Sequence, residues 1–139
     1  MRKVLLAIAG VAILGTSVAL RAHHSFAAEF DANRPVSLQG TVTKMEWINP
    51  HVWIHIEVKG ADGKATTWMI EASAPNALIR RGFGRDSLPA GSAITVEGYQ
   101  ARDGANRANG TDLTFADGRK LFLGSSGTGA PWEKRPGTK

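Results

Sequence analysis

The chain has 139 residues, no cysteine and a formal net charge of +5. The absence of cysteine excludes disulfides, thiolate metal sites and cysteine nucleophiles. Removing the three basic residues of the first 22 positions from the 17 in the chain leaves 14 against 12 acidic residues. So small an excess gives no reason to expect a nucleic acid or an anionic membrane as partner.

The N-terminus has the order of a secretory signal peptide. Two basic residues precede an apolar run from Val4 to Leu14, and small and polar residues follow up to Ala19. The run is shorter than the roughly 20 apolar residues of a spanning helix, so a cleaved leader is predicted rather than a membrane anchor. Cleavage is expected after Ala19 or after Ala22, and only the second makes His23 the first residue.

These features divide the chain into three predicted parts: a signal peptide over 1–22, one β domain over 23–123 and a flexible tail over 124–139. The roughly 117 residues after the leader suffice for a single hydrophobic core. The tail is predicted to be disordered because it is rich in glycine, serine and proline. We expect the mature protein to be periplasmic or secreted, with no stable membrane insertion after cleavage.

Period-two alternation predicts three consecutive strands, from Ser37 to Trp47, from His51 to Lys59 and from Thr66 to Ala72. The second strand has two distinct faces: one carries Val52, Ile54, Ile56 and Val58, and the other carries His51, Trp53, His55 and Glu57. A three-residue hairpin loop with Gly63 in the left-handed conformation would join the second strand to the third. That register pairs Ile54 with Ile70, His55 with Met69 and Trp53 with Glu71.

A short helix is predicted from Ser73 to Gly82, with the serine near its cap and a proline in its first turn. A fourth strand follows from Ala93 to Gln100, and then a polar loop from Ala101 to Gly110. The last predicted hairpin joins Leu113–Phe115 to Lys120–Leu123. This order, without βαβ signals, is typical of a mostly β, small five-stranded Greek-key barrel of the oligonucleotide- and oligosaccharide-binding (OB) type, with one short helix between strands 3 and 4. A β-sandwich fits less well because seven evenly spaced strands cannot be counted.

Five stretches carry a resemblance to a known family: His23–Asp31, Pro35–Trp47, Asn49–His51, Ser73–Asn76 and Arg80–Gly82. Together they resemble a family of small exported bacterial proteins, domain of unknown function 6152. The resemblance covers nearly all of the mature chain. It implies the element order above and an exported location, and it implies no activity.

The four histidines fall in two places, His23–His24 and the strand that carries His51 and His55. A neutral imidazole is a transition-metal ligand near physiological pH. If cleavage follows Ala22, the α-amine and ring of His23 can chelate one ion, and a further imidazole would complete a site suited to copper. The candidate metal ligands are therefore His23, His24 and His51. The alternative for His23 and His24 is a solvated tail.

His55 lies four residues along the same strand from His51, about 13 Å away, so the two cannot easily share one ion. Its predicted cross-strand neighbour is Met69, a soft thioether that favours Cu(I). A second candidate ligand-binding group therefore consists of Trp53, His55 and Met69. The alternative is that these are half-exposed strand residues that pack on each other.

The leading functional hypothesis is an exported, non-catalytic binding protein that uses copper as its cofactor through the histidine cluster. One alternative is a metal-free OB-like module that binds an unidentified ligand or protein through its aromatic face. Another is a redox enzyme with histidine-ligated copper, although no complete catalytic motif is present. The acidic residues lack the spacing of a glycosidase or metallohydrolase and are predicted to be solvated: Glu29, Asp31, Glu46, Glu57 and Glu71.

Overall fold

The computed structural model describes residues 25–134. The strands are β1 Phe30–Glu46, β2 Trp53–Lys59, β3 Ala65–Glu71, β4 Ala93–Ala101, β5 Arg107–Phe115 and β6 Lys120–Phe122. The helices are α1 Phe26–Glu29, α2 Pro75–Arg80 and a 3₁₀ helix, Pro131–Lys134. The predicted leader, His23 and His24 lie outside the described residues, so the expectations about them stay predictions.

The strands form one sheet in the order β3-β2-β1-β4-β5-β6, and β3 also pairs with β5. That additional pairing is parallel, whereas the other neighbours are antiparallel, and it closes β1 to β5 into a ring. The mostly β class and the short helix between the third and fourth strands are thus confirmed. The predicted last hairpin is confirmed, with β6 paired to β5 as a sixth strand outside the ring. The one-turn helix α1 and the C-terminal 3₁₀ helix were not predicted.

The β2–β3 hairpin has the predicted register, with Ile54 opposite Ile70, His55 opposite Met69 and Trp53 opposite Glu71. Gly63 has a φ of +77°, the left-handed conformation that this turn requires. The apolar face of β2 and its entry points into the core: Val52, Ile54 and Ile56 are each 0% exposed, and Val58 at the end of the strand is partly buried. Alternation alone therefore predicted which face of the hairpin meets the core.

The core fills the inside of the ring, and helix α2 packs against it. Burial of each large aliphatic side chain there stabilises the fold by about 1.5–3 kcal/mol relative to exposure. The largest fully buried aliphatic side chains come from the five strands of the ring, from α2 and from the segments beside β2 and β6: Val42, Val52, Ile54, Ile56, Ile70, Leu78, Val96, Leu113 and Leu123. Helix α2 contributes Leu78 from its inward side, while Ile79 faces solvent.

Two strands are longer than predicted. β1 begins at Phe30 rather than Ser37, because its first half pairs with β4 and its second half with β2. β5 begins at Arg107, so the predicted loop to Gly110 was wrong over its last four residues. Gly110 is a packing glycine: a Cβ there would lie 2.7 Å from a Leu123 methyl and 2.8 Å from an Ile70 methyl.

Ser73 lies next to the cap of helix α2, as predicted, but its side chain does not cap the helix. The N-cap position is Ala74, and no side-chain cap hydrogen bond is present. The buried Ser73 hydroxyl instead lies 2.9 Å from the Leu123 carbonyl and 2.6 Å from the Gly124 carbonyl, and it accepts a hydrogen bond from Arg81. Ser73 therefore ties the start of the helix segment to the end of β6.

Residues 125–134 are folded against the domain, although the tail over 124–139 was predicted to be disordered. Trp132 is 1% exposed and belongs to a second apolar cluster with Phe26, Phe30, Ala101 and Ala130. The Trp132 indole N–H donates to the Ser125 carbonyl at 3.2 Å. Composition gave no sign of this packing, because one large aromatic side chain supplies most of the buried surface.

Candidate histidine and carboxylate site

The start of β2 is held against the end of β3 by backbone hydrogen bonds. Val52 donates to the Ser73 carbonyl, and Ala72 donates to the Val52 carbonyl. This pairing brings His51 next to Glu71, because both side chains lie on the face of the hairpin that points away from the core. The Nδ1 atom of His51 lies 3.1 Å from Oε1 of Glu71, an ion-pair distance.

Glu71 is only 7% exposed, so it is not the solvated surface group that was predicted. It stands opposite Asn109 where β3 and β5 run parallel, and the Asn109 amide donates to Oε1 at 3.3 Å. Burial, followed by the charge of Glu29, raises the pKa of the Glu71 carboxyl to about 7, although Arg107 and the Asn109 hydrogen bond act in the opposite direction. The carboxyl therefore changes charge in the physiological pH range.

A carboxylate beside one ring nitrogen fixes the orientation of an imidazole. When the Glu71 carboxylate is ionised, it favours a proton on Nδ1 of His51, which leaves coordination chemistry to Nε2. Histidine ligands of protein metal sites commonly have such a carboxylate partner, which orients the ring and makes it more basic. The His51–Glu71 pair has the chemistry of one oriented nitrogen ligand.

The N-terminal segment enters the structure on the same side of the sheet. Tyr99 stands opposite Asn109, and its ring packs edge to face on Phe26 at 5.4 Å between centroids. Glu29 lies 3.8 Å from Arg107, which is the residue of β5 two positions before Asn109. Residues 26–29 thus lie in the layer that covers the Glu71 side of the ring.

Three polar atoms in this layer are buried and have no hydrogen-bond partner within residues 25–134: Arg107 Nε, Asn109 Oδ1 and Thr111 Oγ1. Arg107 and Asn109 are alternate residues of β5 and share one face of the strand, whereas Thr111 lies at the register shift between β4 and β5. Buried polar groups are normally hydrogen-bonded, to protein or to ordered water. Asn109 Oδ1 is therefore a buried hydrogen-bond acceptor next to Glu71.

His55 forms a separate pair with a different carboxylate. Its Nε2 lies 3.0 Å from Oε2 of Glu46, and Lys44 lies 2.6 Å from the other oxygen. The Lys44 and then the His55 hydrogen bond lower the pKa of Glu46, so the carboxylate is ionised and the His55 ring N–H donates to it. Trp53, His55 and Met69 are cross-strand or same-face neighbours, as their register requires.

The two histidines of β2 and its entry thus have different surroundings. His51 contacts a buried glutamate, and His55 contacts an exposed ion pair on β1. Within residues 25–134 no group of three or more histidine, cysteine or acidic side chains is arranged to hold a metal ion. The structure therefore places only His51 of the three predicted copper ligands, and the others lie outside the described residues.

Sequence reasoning missed Glu71 and Asn109. The signal for Glu71 was present, because the hairpin register sets it opposite Trp53, two residues beyond His51 on the same face. Asn109 was assigned to the polar loop from Ala101 to Gly110, because that stretch is polar and rich in glycine. Its pairing with Glu71 depends on the closure of the ring, which no local pattern reveals.

The model of a family of unknown function, DUF6152, matches residues 11–111, more than half of the chain. No curated protein and no solved structure matches it. Over the described residues 25–134, the helices are too short or too polar to cross a membrane.

Proposed function

Because the chain belongs to the DUF6152 family, whose function is unknown, we propose a role from its geometry: an exported, non-catalytic protein that binds Cu(II) through His23, His24 and His51. The signal peptide ends at Ala22 in this proposal, and the mature protein works in the periplasm or outside the cell. The proposal extends the predicted histidine cluster with one new component, the carboxylate of Glu71.

The observation that carries the proposal is the 3.1 Å contact between Nδ1 of His51 and the buried Glu71 carboxyl. A buried glutamate is costly unless a partner or a proton compensates its charge. In metal sites such a glutamate orients the histidine ligand and makes its imidazole more basic. Asn109 supports the arrangement, since its amide donates to the same carboxyl oxygen.

The chemistry of the donor set favours copper. Cleavage after Ala22 would give His23 an α-amine and a ring nitrogen that chelate one ion, and His51 would add a second imidazole. His24 is adjacent and supplies a further nitrogen donor. Nitrogen donors in a tetragonal field suit Cu(II), which also stands at the top of the divalent affinity order.

The ring supports an assignment to the OB type of barrel. Its strands follow the cyclic order β1-β2-β3-β5-β4, with β3 and β5 parallel and α2 between β3 and β4. OB barrels are binding scaffolds, in line with a non-catalytic role. The adjacency of Trp53, His55 and Met69 favours one rival, a metal-free module that binds a ligand or a protein on this face.

Titration calorimetry with Cu(II) separates the proposal from this rival. The exported protein is first checked by intact-mass analysis for His23 as its first residue. We expect submicromolar binding of Cu(II), and His51→Ala should weaken it about tenfold or more. One glycine added before His23 should weaken binding as strongly as His23→Ala, because it removes the α-amine from the chelate. His55→Ala is the matched control, because it removes a histidine of the same strand that also contacts a glutamate. Micromolar or weaker binding that is unchanged in His51→Ala would overturn the proposal.

A further inference from the structure

A surface cavity lies between the segment that follows α2 and the β5–β6 hairpin. Its volume is about 400 Å³. Small-molecule sites in proteins commonly have volumes of about 300–1,000 Å³. The cavity is termed the basic cavity, because its lining includes three cationic side chains and no acidic one: Arg81, Gly82, Phe83, Ser87, Phe115, Arg119, Lys120 and Leu121.

Two aromatic side chains supply much of the apolar part of this lining. Phe83 is 2% exposed and belongs to the main core, and Phe115 is partly buried against the same core. Their ring centroids lie 6.3 Å apart, and the Phe83 ring lies 6.2 Å from that of Trp47. Because the core fixes both rings, a flat aromatic ligand can pack on them without ordering the protein first.

Arg119 is stacked on this aromatic surface. Its guanidinium carbon lies 4.7 Å from the centroid of the Phe115 ring, a cation–π distance. Its Nε donates to the Asp117 carboxylate at 2.7 Å. That hydrogen bond does not use the two terminal nitrogens, whose planar fork matches the geometry of a carboxylate. The stacking therefore brings a donor for an anion next to a surface for a ring.

Arg81 adds a fixed positive charge to the lining. Its Nη1 donates to the Phe122 carbonyl and its Nη2 to the Gly124 carbonyl, both at 3.0 Å. These acceptors are neutral and do not cancel the charge. Lys120 contributes a further, exposed cation. Asp117 compensates one of the three cations, so the basic cavity keeps an excess of positive charge.

We propose that the basic cavity binds a small organic anion, a carboxylate carried on an aromatic ring. The ring would pack on Phe83 and Phe115, and the carboxylate would accept hydrogen bonds from Arg119 and Lys120. Both parts are required, since exposed cations alone hold an anion only weakly in water. His51 does not line this cavity, so the site is separate from the proposed copper ligands and does not depend on them.

Nuclear magnetic resonance titration of the exported full-length protein, free of metal, with 2-naphthoate tests the proposal. We expect saturable shifts of the backbone amides of residues 81–87 and 115–121, with a dissociation constant of about 1 mM or below. 2-Naphthamide has the same ring without the charge and should bind about tenfold more weakly or worse. Inorganic phosphate supplies charge without a ring and should also bind more weakly.

The contribution of the charges is measured by substitution and by salt. Arg119→Gln should weaken 2-naphthoate binding by about fivefold or more. Lys64→Gln is the matched control, because Lys64 follows the Asp-Gly pair of the β2–β3 hairpin as Arg119 follows that of the β5–β6 hairpin. The backbone N–H of each donates to the preceding aspartate side chain at 3.0 Å. Sodium chloride raised from about 50 to about 500 mM should weaken binding several-fold, because exposed charges are screened.

Three results would overturn the proposal. The first is the absence of saturable shifts in the amides around the basic cavity. The second is equal affinity for 2-naphthoate and either 2-naphthamide or phosphate, which would show that the charge or the rings have no role. The third is an affinity that Arg119→Gln leaves at the level of Lys64→Gln. Should Arg119→Gln disturb the hairpin, Lys120→Gln takes its place with the same expectation.

Discussion

Asn109 donates its side-chain hydrogen bond to Glu71 across the parallel pairing of β3 and β5, at 3.3 Å. The acceptor is the same oxygen that lies beside His51. Two strands that are distant in sequence thus meet at one carboxyl group, and we expect the protonation of that group to affect stability and, in the proposed site, ligand binding.

The buried carboxyl of Glu71 should make stability depend on pH. Its pKa is about 7 in the folded state against 4.5 as the ordinary value, so the folded protein holds this proton more tightly than the unfolded chain. The free energy of unfolding should therefore fall as pH rises from about 4.5 to 7, by up to about 3 kcal/mol, and level off above 7. Urea denaturation across this range measures the slope.

Glu71→Gln should remove most of that slope, since the amide does not titrate. Glu57→Gln, at an exposed position of β2, is the matched control and should keep it. An identical slope in wild type and Glu71→Gln would show that another group is responsible.

Copper affinity should rise between pH 6 and 8. The α-amine of the mature terminus must lose its proton to coordinate, from a reference pKa near 8, and ionised Glu71 orients His51. We expect Glu71→Gln to weaken Cu(II) binding by about 10- to 100-fold at pH 8. Glu46→Gln changes the partner of His55 instead and should leave the affinity within a factor of about two. Equal losses in both variants would contradict a specific role for Glu71.

The core of the ring should be sensitive to truncation at Ile54. This side chain is 0% exposed, so Ile54→Ala should cost about 2–5 kcal/mol in the free energy of unfolding. Ile79 is 57% exposed on α2, and Ile79→Ala should stay within about 0.5 kcal/mol of wild type. Chemical denaturation of the two variants compares them directly, and similar losses would mean that the burial pattern of β2 is incorrect.

Removal of the C-terminal segment should destabilise the fold. Trp132 is buried against Phe26, and loss of a buried tryptophan costs about 3–5 kcal/mol. Deletion of 125–139 should therefore lower the melting temperature by about 10 °C or more. Lys134→Ala changes an exposed residue of the same segment and should have little effect. An unchanged melting temperature in the deletion would support the disordered tail predicted from composition.

Features that depend on residues close together in sequence could be predicted, and features that depend on distant residues could not. The β2–β3 hairpin could be predicted with its register, because alternation and the Gly60–Lys64 loop are local signals. The burial of Glu71 could not, since the groups around it include Arg107 and Asn109 of β5 and Glu29 near the start of the described chain, all distant in sequence. Asn109 and Gly110 were predicted to lie in a loop, yet β5 requires glycine at 110 because Ile70 and Leu123 occupy the space of a side chain.

The parallel β3–β5 pairing also has a consequence for folding kinetics. It joins Met69–Glu71 to Arg107–Asn109, segments far apart along the chain, so its loop-closure entropy exceeds that of the β2–β3 hairpin. Contacts of such separation slow folding. A chain in which β3 and β5 are not yet paired can retain the hairpin that brings His51 to Glu71. The hydrogen bond from Asn109 to the Glu71 carboxyl is then missing. The complete group of His51, Glu71 and Asn109 therefore forms only after β3 pairs with β5, which makes it a marker of the fully folded state.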